Sequence, residues 1–149
     1  MQELSLPKFD FSIKKINNVP YIFDEIRKKY VKITPEEWVR QHIVKFLIHY
    51  KNYPPTLIQL EVSMKLYGLQ KRADIVCYNS QGMALLVVEC KAPEVSITNQ
   101  VFHQISNYNI LLKAPYLLVS NGIMHAACSI DFDSKSYAFL HEIPNYEDM

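Results

Sequence analysis

Two apolar runs carry charges that buried strands rarely tolerate. Arg72-Ala-Asp-Ile-Val-Cys-Tyr78 and Leu85-Leu-Val-Val-Glu-Cys-Lys91 both read as strands of a core, yet Asp74, Glu89 and Lys91 lie within them. Burying an unpartnered ionised group costs many kcal/mol, so such charges are paired, metal-bound or catalytic. The fold must therefore bring these two strands together in a way that makes two carboxylates and a lysine useful. Metal-dependent phosphodiester chemistry is the first reading to test.

The rest of the chain narrows the class. Its 149 residues suit one domain with one sizeable core, and a composition of 49% hydrophobic and 21% charged residues is that of an ordinary globular protein. Three glycines (Gly68, Gly82 and Gly122) argue against a nucleotide-binding fold that needs a glycine-rich phosphate loop. No apolar run approaches the roughly 20 residues that span a bilayer, and Met1-Gln-Glu-Leu-Ser-Leu-Pro7 lacks the pattern of a signal peptide. Cys77, Cys90 and Cys128 are odd in number and without metal-ligand spacing. Cys77 and Cys90 read as buried free thiols, and a cytoplasmic location is expected. The net charge of +1 is no sign of polyanion binding, although basic clusters occur at Lys14-Lys15, at Arg27-Lys28-Lys29 with Lys32, and at Lys71-Arg72. Such clusters are most often solvated faces.

Patterning predicts an N-terminal arm over residues 1–30, with a short strand or hairpin, and a single domain over residues 31–149. Thr34-Pro-Glu-Glu37 starts a helix: Thr34 as N-cap, Pro35 in the first helical position, Glu37 completing a capping box. That helix runs to about Tyr50. A strand follows near 57–62 with a continuation near 64–67, then strands near 72–78 and 84–90 around the turn Asn79-Ser-Gln-Gly82. A second helix covers about 98–113. Pro115-Tyr-Leu-Leu-Val-Ser120 is a compact apolar strand, positioned to pair in parallel with strand 84–90 through the helical crossover. Short strands near 123–130 and 136–140 close the edge. The expected class is α/β (α+β), a central mixed sheet flanked by helices.

Side chains alternate faces along a strand, so Arg72, Asp74 and Val76 share one face, and Val87, Glu89 and Lys91 share another. Pairing Tyr78 with Met83 puts Asp74 opposite Val87 and diagonal to Glu89, roughly 7–8 Å away, close enough for two carboxylates to share a cation. In the first helix the apolar stripe Val39, Ile43, Phe46, Leu47 and Tyr50 extends back through Glu36, which turns Glu36 inward and leaves Glu37 as a cap. In the second, Gln104 and Tyr108 share a face one turn apart.

The order of these pieces is more specific than any one of them: inward Glu on a helix, Asp on a strand, Glu-x-Lys on the next, then Gln-x-x-x-Tyr on the crossover helix. It resembles the PD-(D/E)xK nuclease superfamily, and in particular the N-terminal nuclease domain of type I restriction enzyme R subunits. Arg72-Ala-Asp74-Ile, Val88-Glu89-Cys-Lys91-Ala-Pro93 and Gln104-Ile-Ser-Asn-Tyr108 carry the resemblance, which spans roughly residues 30–145. Ala73 stands where the superfamily's name has proline. R subunits also carry a helicase-type motor, and this chain has no phosphate-binding loop.

The resemblance implies a restriction-endonuclease-like αβββαβ core and a metal-dependent DNA endonuclease. Asp74, Glu89 and Lys91 would be its catalytic set. Mg²⁺, with Mn²⁺ able to substitute, prefers hard oxygen ligands. Asp74 and Glu89 would supply them, with the backbone carbonyl of Cys90 as a third ligand and Glu36 holding a water or a second metal. Lys91 would act through electrostatics. Gln104 and Tyr108 would orient DNA, and Lys71 and Arg72 would bind flanking phosphates. No motif here reads bases, so the expected partners are DNA and other restriction-system subunits that supply motor and specificity, with no membrane. Two rival readings share the same residues: a nucleic-acid-binding or assembly module that keeps the fold without turnover, and a repair or recombination nuclease.

Overall fold

The computed structural model describes residues 1–149. The amino-terminal region forms more than a hairpin. Strands β1 (Ile13–Ile16), β2 (Val19–Asp24) and β3 (Lys29–Lys32) make a three-stranded antiparallel sheet of their own. Asn17 and Asn18 turn the first corner with φ of 51° and 65°, the positive values that a two-residue hairpin turn demands and that Asn tolerates.

Helix α1 (Pro35–Lys51) starts where expected, with the Thr34 hydroxyl accepting the Glu37 amide at 3.0 Å. It ends on Asn52 in a left-handed conformation. Strands β4 (Ile58–Leu66), β5 (Leu69–Tyr78) and β6 (Ala84–Cys90) then run antiparallel. The two segments expected at 57–67 are one strand, joined to β5 by the turn Tyr67-Gly68, both residues at positive φ. Helix α2 (Asn99–Leu112) crosses over to β7 (Tyr116–Ser120), which pairs in parallel with β6. Strands β8 (His125–Asp131) and β9 (Ser136–Leu140) extend the sheet in the order β4-β5-β6-β7-β8-β9. The αβββαβ order and the mixed sheet are those expected.

Alternation along the strands divides the core in two. Ile75, Cys77, Leu86, Val88 and Leu118 pack with Val39, Ile43 and Leu47 of α1. Val76, Val87, Leu117 and Val119 pack with Val101, Ile105 and Tyr108 of α2. The charged site lies where β5 and β6 emerge between these layers. Tyr50, assigned to the apolar stripe of α1, is 56% exposed, because that stripe leaves the sheet after Leu47. All three cysteines are free and buried.

The β5–β6 register differs from expectation for a local reason. The Asn79 side chain accepts the amides of Gln81 and Met83, and the Asn79 amide donates to Met83 O, so Asn79 rather than Tyr78 closes the turn. Tyr78 then pairs with Ala84, and a bulge inserts Leu85 before Cys77 meets Leu86. Val76 faces Val87 and Ile75 faces Val88. Val87 thus faces Val76 and not Asp74, and the same register carries Asp74, one residue past the last regular pair, toward Glu89.

Candidate active site

Asp74 and Glu89 lie one step beyond Ile75 and Val88, the last regular pair of the β5–β6 ladder, and within electrostatic reach of each other. Each is oriented by one strong hydrogen bond. The Cys90 amide donates to Asp74 Oδ2 at 2.7 Å, and the Tyr108 hydroxyl donates to Glu89 Oε2 at 2.7 Å. The other oxygens are less engaged. Asp74 Oδ1 has Arg40 Nη2 at 3.9 Å, and Glu89 Oε1 has Lys91 Nζ at 3.5 Å.

Under-compensation shows in the acid strengths. Burial first, then the Asp74 carboxylate, pushes the Glu89 carboxyl up to about 7 against the pull of Tyr108 and Lys91. Burial likewise raises Asp74, although the Cys90 amide, Arg40, Lys91 and Arg72 all favour its ionised form. Glu36 is raised as well, by burial and then by Asp74. Tyr108 is driven far up by burial and by Glu89, so its hydroxyl remains a donor.

Tyr108 is buried on α2, and Gln104 is exposed one turn before it. Both line a cleft of about 540 Å³ with Glu89, Lys71 and Arg72 and with Leu66, Tyr67 and Leu69 of the β4–β5 turn. The structure thus gathers Glu89, Gln104, Tyr108, Lys71 and Arg72 around one opening. Lys91 follows the end of β6, its amide held by Ser120 O at 2.8 Å.

The two glutamates of α1 do not divide as expected. Glu37 is buried and its carboxylate is not spent on a capping box. Oε1 accepts from Arg27 Nη2 at 2.8 Å, and Oε2 accepts from Gln41 Nε2 at 3.1 Å and lies 3.3 Å from Arg40 Nε. The cap is only half a box, because these donors outcompete the Thr34 amide. Glu36 is more exposed and stands within electrostatic range of Asp74 and Lys91. No group of three or more His, Cys, Asp or Glu side chains is arranged to hold a metal ion, so Glu36 does not complete a three-carboxylate cluster.

Three site residues escaped sequence reasoning. Glu61 lies on β4 at a break in the ladder with φ of 53°, between Leu60 and Val62, whose partners Ile75 and Ala73 flank Asp74. Arg40 reaches Glu37, Glu61 and Asp74, and its buried Nε and Nη1 have no hydrogen-bonding partner. Arg27 anchors Asp24, Glu37 and Glu61 together. Glu61 carried the same signal as Asp74, a charge inside an alternating strand. Arg40 was one turn from Glu36.

A family model, that of the type I restriction enzyme R protein N terminus, matches residues 35–144. The chain belongs to this family. The matched span runs from α1 past β9 and includes Asp74, Glu89, Lys91, Gln104 and Tyr108, while the three-stranded sheet lies before it. A solved fragment of an HsdR subunit, assigned to a type I restriction enzyme from Vibrio vulnificus YJ016, shares the fold with a TM-score of 0.54 at 19% identity. That match covers 76% of this chain and 24% of the HsdR chain, so this member of the R protein N-terminal family spans a minor part of that relative's length. Among curated proteins none matches. No helix is long and apolar enough to cross a membrane.

The donor set of this family member fits a hard divalent cation. Two adjacent carboxylates each keep one lightly engaged oxygen, and their acidities are raised as expected of acids short of positive charge. Main-chain oxygen and water would have to supply the remaining ligands.

Proposed function

We propose that the chain is a metal-dependent DNA endonuclease domain of the PD-(D/E)xK kind, working as part of a type I restriction R subunit. The observation that carries the reading is the approach of Asp74 to Glu89 at the ends of β5 and β6, each aimed by a separate hydrogen bond and each with its acidity still raised. Asp74 and Glu89 would hold Mg²⁺ or Mn²⁺, with the Cys90 carbonyl as a main-chain ligand. Such an ion acidifies the attacking water and stabilises charge on the phosphate.

The chain's own groups do the rest. The Cys90 amide and the Tyr108 hydroxyl fix the two carboxylates in orientation, so no reorganisation is needed when substrate arrives. Lys91, 3.5 Å from Glu89, offsets charge on the phosphate and orients the water. Lys71 and Arg72 take flanking phosphates, and Gln104 orients the strand in the cleft. Glu36 orients a water from the α1 side. DNA is the substrate, and motor and specificity subunits of a restriction system are the partners that confer sequence choice. Family membership favours the restriction role over repair.

Plasmid nicking in Mg²⁺ or Mn²⁺, native protein against Asp74→Asn, tests the reading. Metal-dependent nicking lost in Asp74→Asn supports it. A native protein that binds DNA but never nicks it, even with motor and specificity subunits present, makes it the silent binding module.

A further inference from the structure

The amino-terminal sheet precedes the family-matched span and has two unlike faces. Ile22 and Asp24 point inward and are buried; Ile22 is solvent-inaccessible, and Asp24 is held by Arg27. On the outward face, register places Lys14, Tyr21 and Lys32 in one row and Phe23 and Tyr30 in the next. The rows lie two residues apart, about 7 Å along the strands. Lys14 Nζ sits 3.9 Å from the centre of the Tyr30 ring, Phe23 meets Tyr30 edge-on at 5.3 Å, and the Tyr30 hydroxyl bonds Ser12.

Lys14 and Lys32 carry the charge of this face, whereas Lys15 and Lys29, opposite Pro20 and Asp24, belong to the other. Both Lys14 and Lys32 are exposed, and neither forms an ion pair with a carboxylate. The sole acid within the three strands, Asp24, is turned away. The β2–β3 turn is also tied to the candidate site, since Arg27 reaches Glu61 at 3.1 Å and Glu61 contacts Arg40 beside Asp74. A solvated patch needs no aromatic rows, and an apolar protein partner would leave the ammonium groups of Lys14 and Lys32 without partners. Half-exposed rings interleaved with lysines on an open sheet suit a polyanion whose bases are free to stack.

We propose that this outward face binds single-stranded DNA next to the site, Lys14 and Lys32 holding phosphates while Tyr21 and Phe23 stack on bases. The inference does not depend on turnover, since binding is measured without metal. A fluorescent oligothymidylate is titrated with the full chain in EDTA at several salt concentrations, with a duplex of equal length as the second arm. The native protein binds the single strand more tightly than the duplex. Lys14→Gln with Lys32→Gln flattens the salt dependence by about 1.4 units of slope. Phe23→Leu, which keeps an apolar side chain on a strand and so spares the fold, weakens single-strand binding about tenfold at constant salt slope. Equal or tighter duplex binding, an unchanged slope in the double variant, or unchanged affinity in Phe23→Leu each overturns the proposal. Nicking with intact metal dependence in these variants shows that the catalytic reading stands apart.

Discussion

The same chain contains two knots of buried carboxylates, and they are in opposite states. Around Arg27 the acids are satisfied: Asp24 takes two backbone amides, the Arg27 Nε at 2.6 Å and the Gln41 amide, and Glu37 takes Arg27 and Gln41. Burial works against the Asp24 charge, yet these donors outweigh it and hold its carboxyl below the usual range. Around Asp74 the acids are starved, one good donor apiece, and their acidities rise. Burial alone therefore does not mark a functional acid. The mark is a buried acid whose neighbours stop short of neutralising it, because that deficit is what a bound cation can fill.

The largest expected effect breaks the satisfied knot. Arg27→Met leaves Asp24, Glu37 and Glu61 without their shared cation, and removing one partner of a buried ionic network costs about 3–5 kcal/mol. Urea unfolding should show that loss. A change below about 1 kcal/mol would mean that the knot is solvated and the contrast with the site false.

Next comes Lys91, on the starved side. If Lys91 is catalytic as proposed, its charge acts mainly in the transition state, and Lys91→Ala should lower cleavage by roughly a hundredfold or more while DNA affinity stays within a few-fold. Lys91→Arg should not rescue, since a planar guanidinium does not replace a compact ammonium beside Glu89. Full rescue by Arg, or a loss that appears only in binding, would place Lys91 among the phosphate contacts.

Much of the site was legible because strand and helix periods are rigid rules. The charges at Asp74, Glu89 and Lys91 announce themselves against apolar runs, and the spacing of Gln104 and Tyr108 puts both over the end of β6. What was not legible depended on competition between distant groups. Thr34 and Glu37 spell a capping box, but Arg27, from a turn ten residues earlier, takes the Glu37 carboxylate. The bulge at Leu85 follows from one Asn79 side chain closing its turn a residue later than alternation suggests. Arg40 reads as a surface residue of α1 until Glu61 and Asp74 converge on it.

Glu37 sharpens the comparison from the other side. If it were a cap, Glu37→Gln would be neutral. As a buried ligand of Arg27 and Arg40 its charge matters, and the substitution should lower stability by about 1.5–3 kcal/mol in urea unfolding. Nicking rates measured well below the melting temperature should change little. An unchanged midpoint restores the capping role.

The smallest effect is the most diagnostic, because its sign differs between the two knots. Glu89 is raised from 4.5 to about 7, so the folded protein binds its proton more readily than the unfolded chain does. Ionising it therefore subtracts stability. The penalty is absent below about pH 4.5, grows as pH rises to about 7, and is complete above that. In metal-free protein, Glu89→Gln should melt a few degrees higher than native at pH 8 and no higher near pH 4.5, because glutamine keeps the oxygen that accepts from Tyr108 without the charge. Asp24 has the reverse sign: its folded value is depressed, so it stabilises above the ordinary aspartate value of 3.8 and that contribution is lost as pH falls through the folded one. Asp24→Asn should accordingly be destabilising throughout the neutral range. Melting curves of both variants across pH, in EDTA, read the two signs directly. If Glu89→Gln is destabilising at pH 8, the acid is already satisfied by its protein neighbours, and the pair with Asp74 is a structural feature like the knot around Arg27.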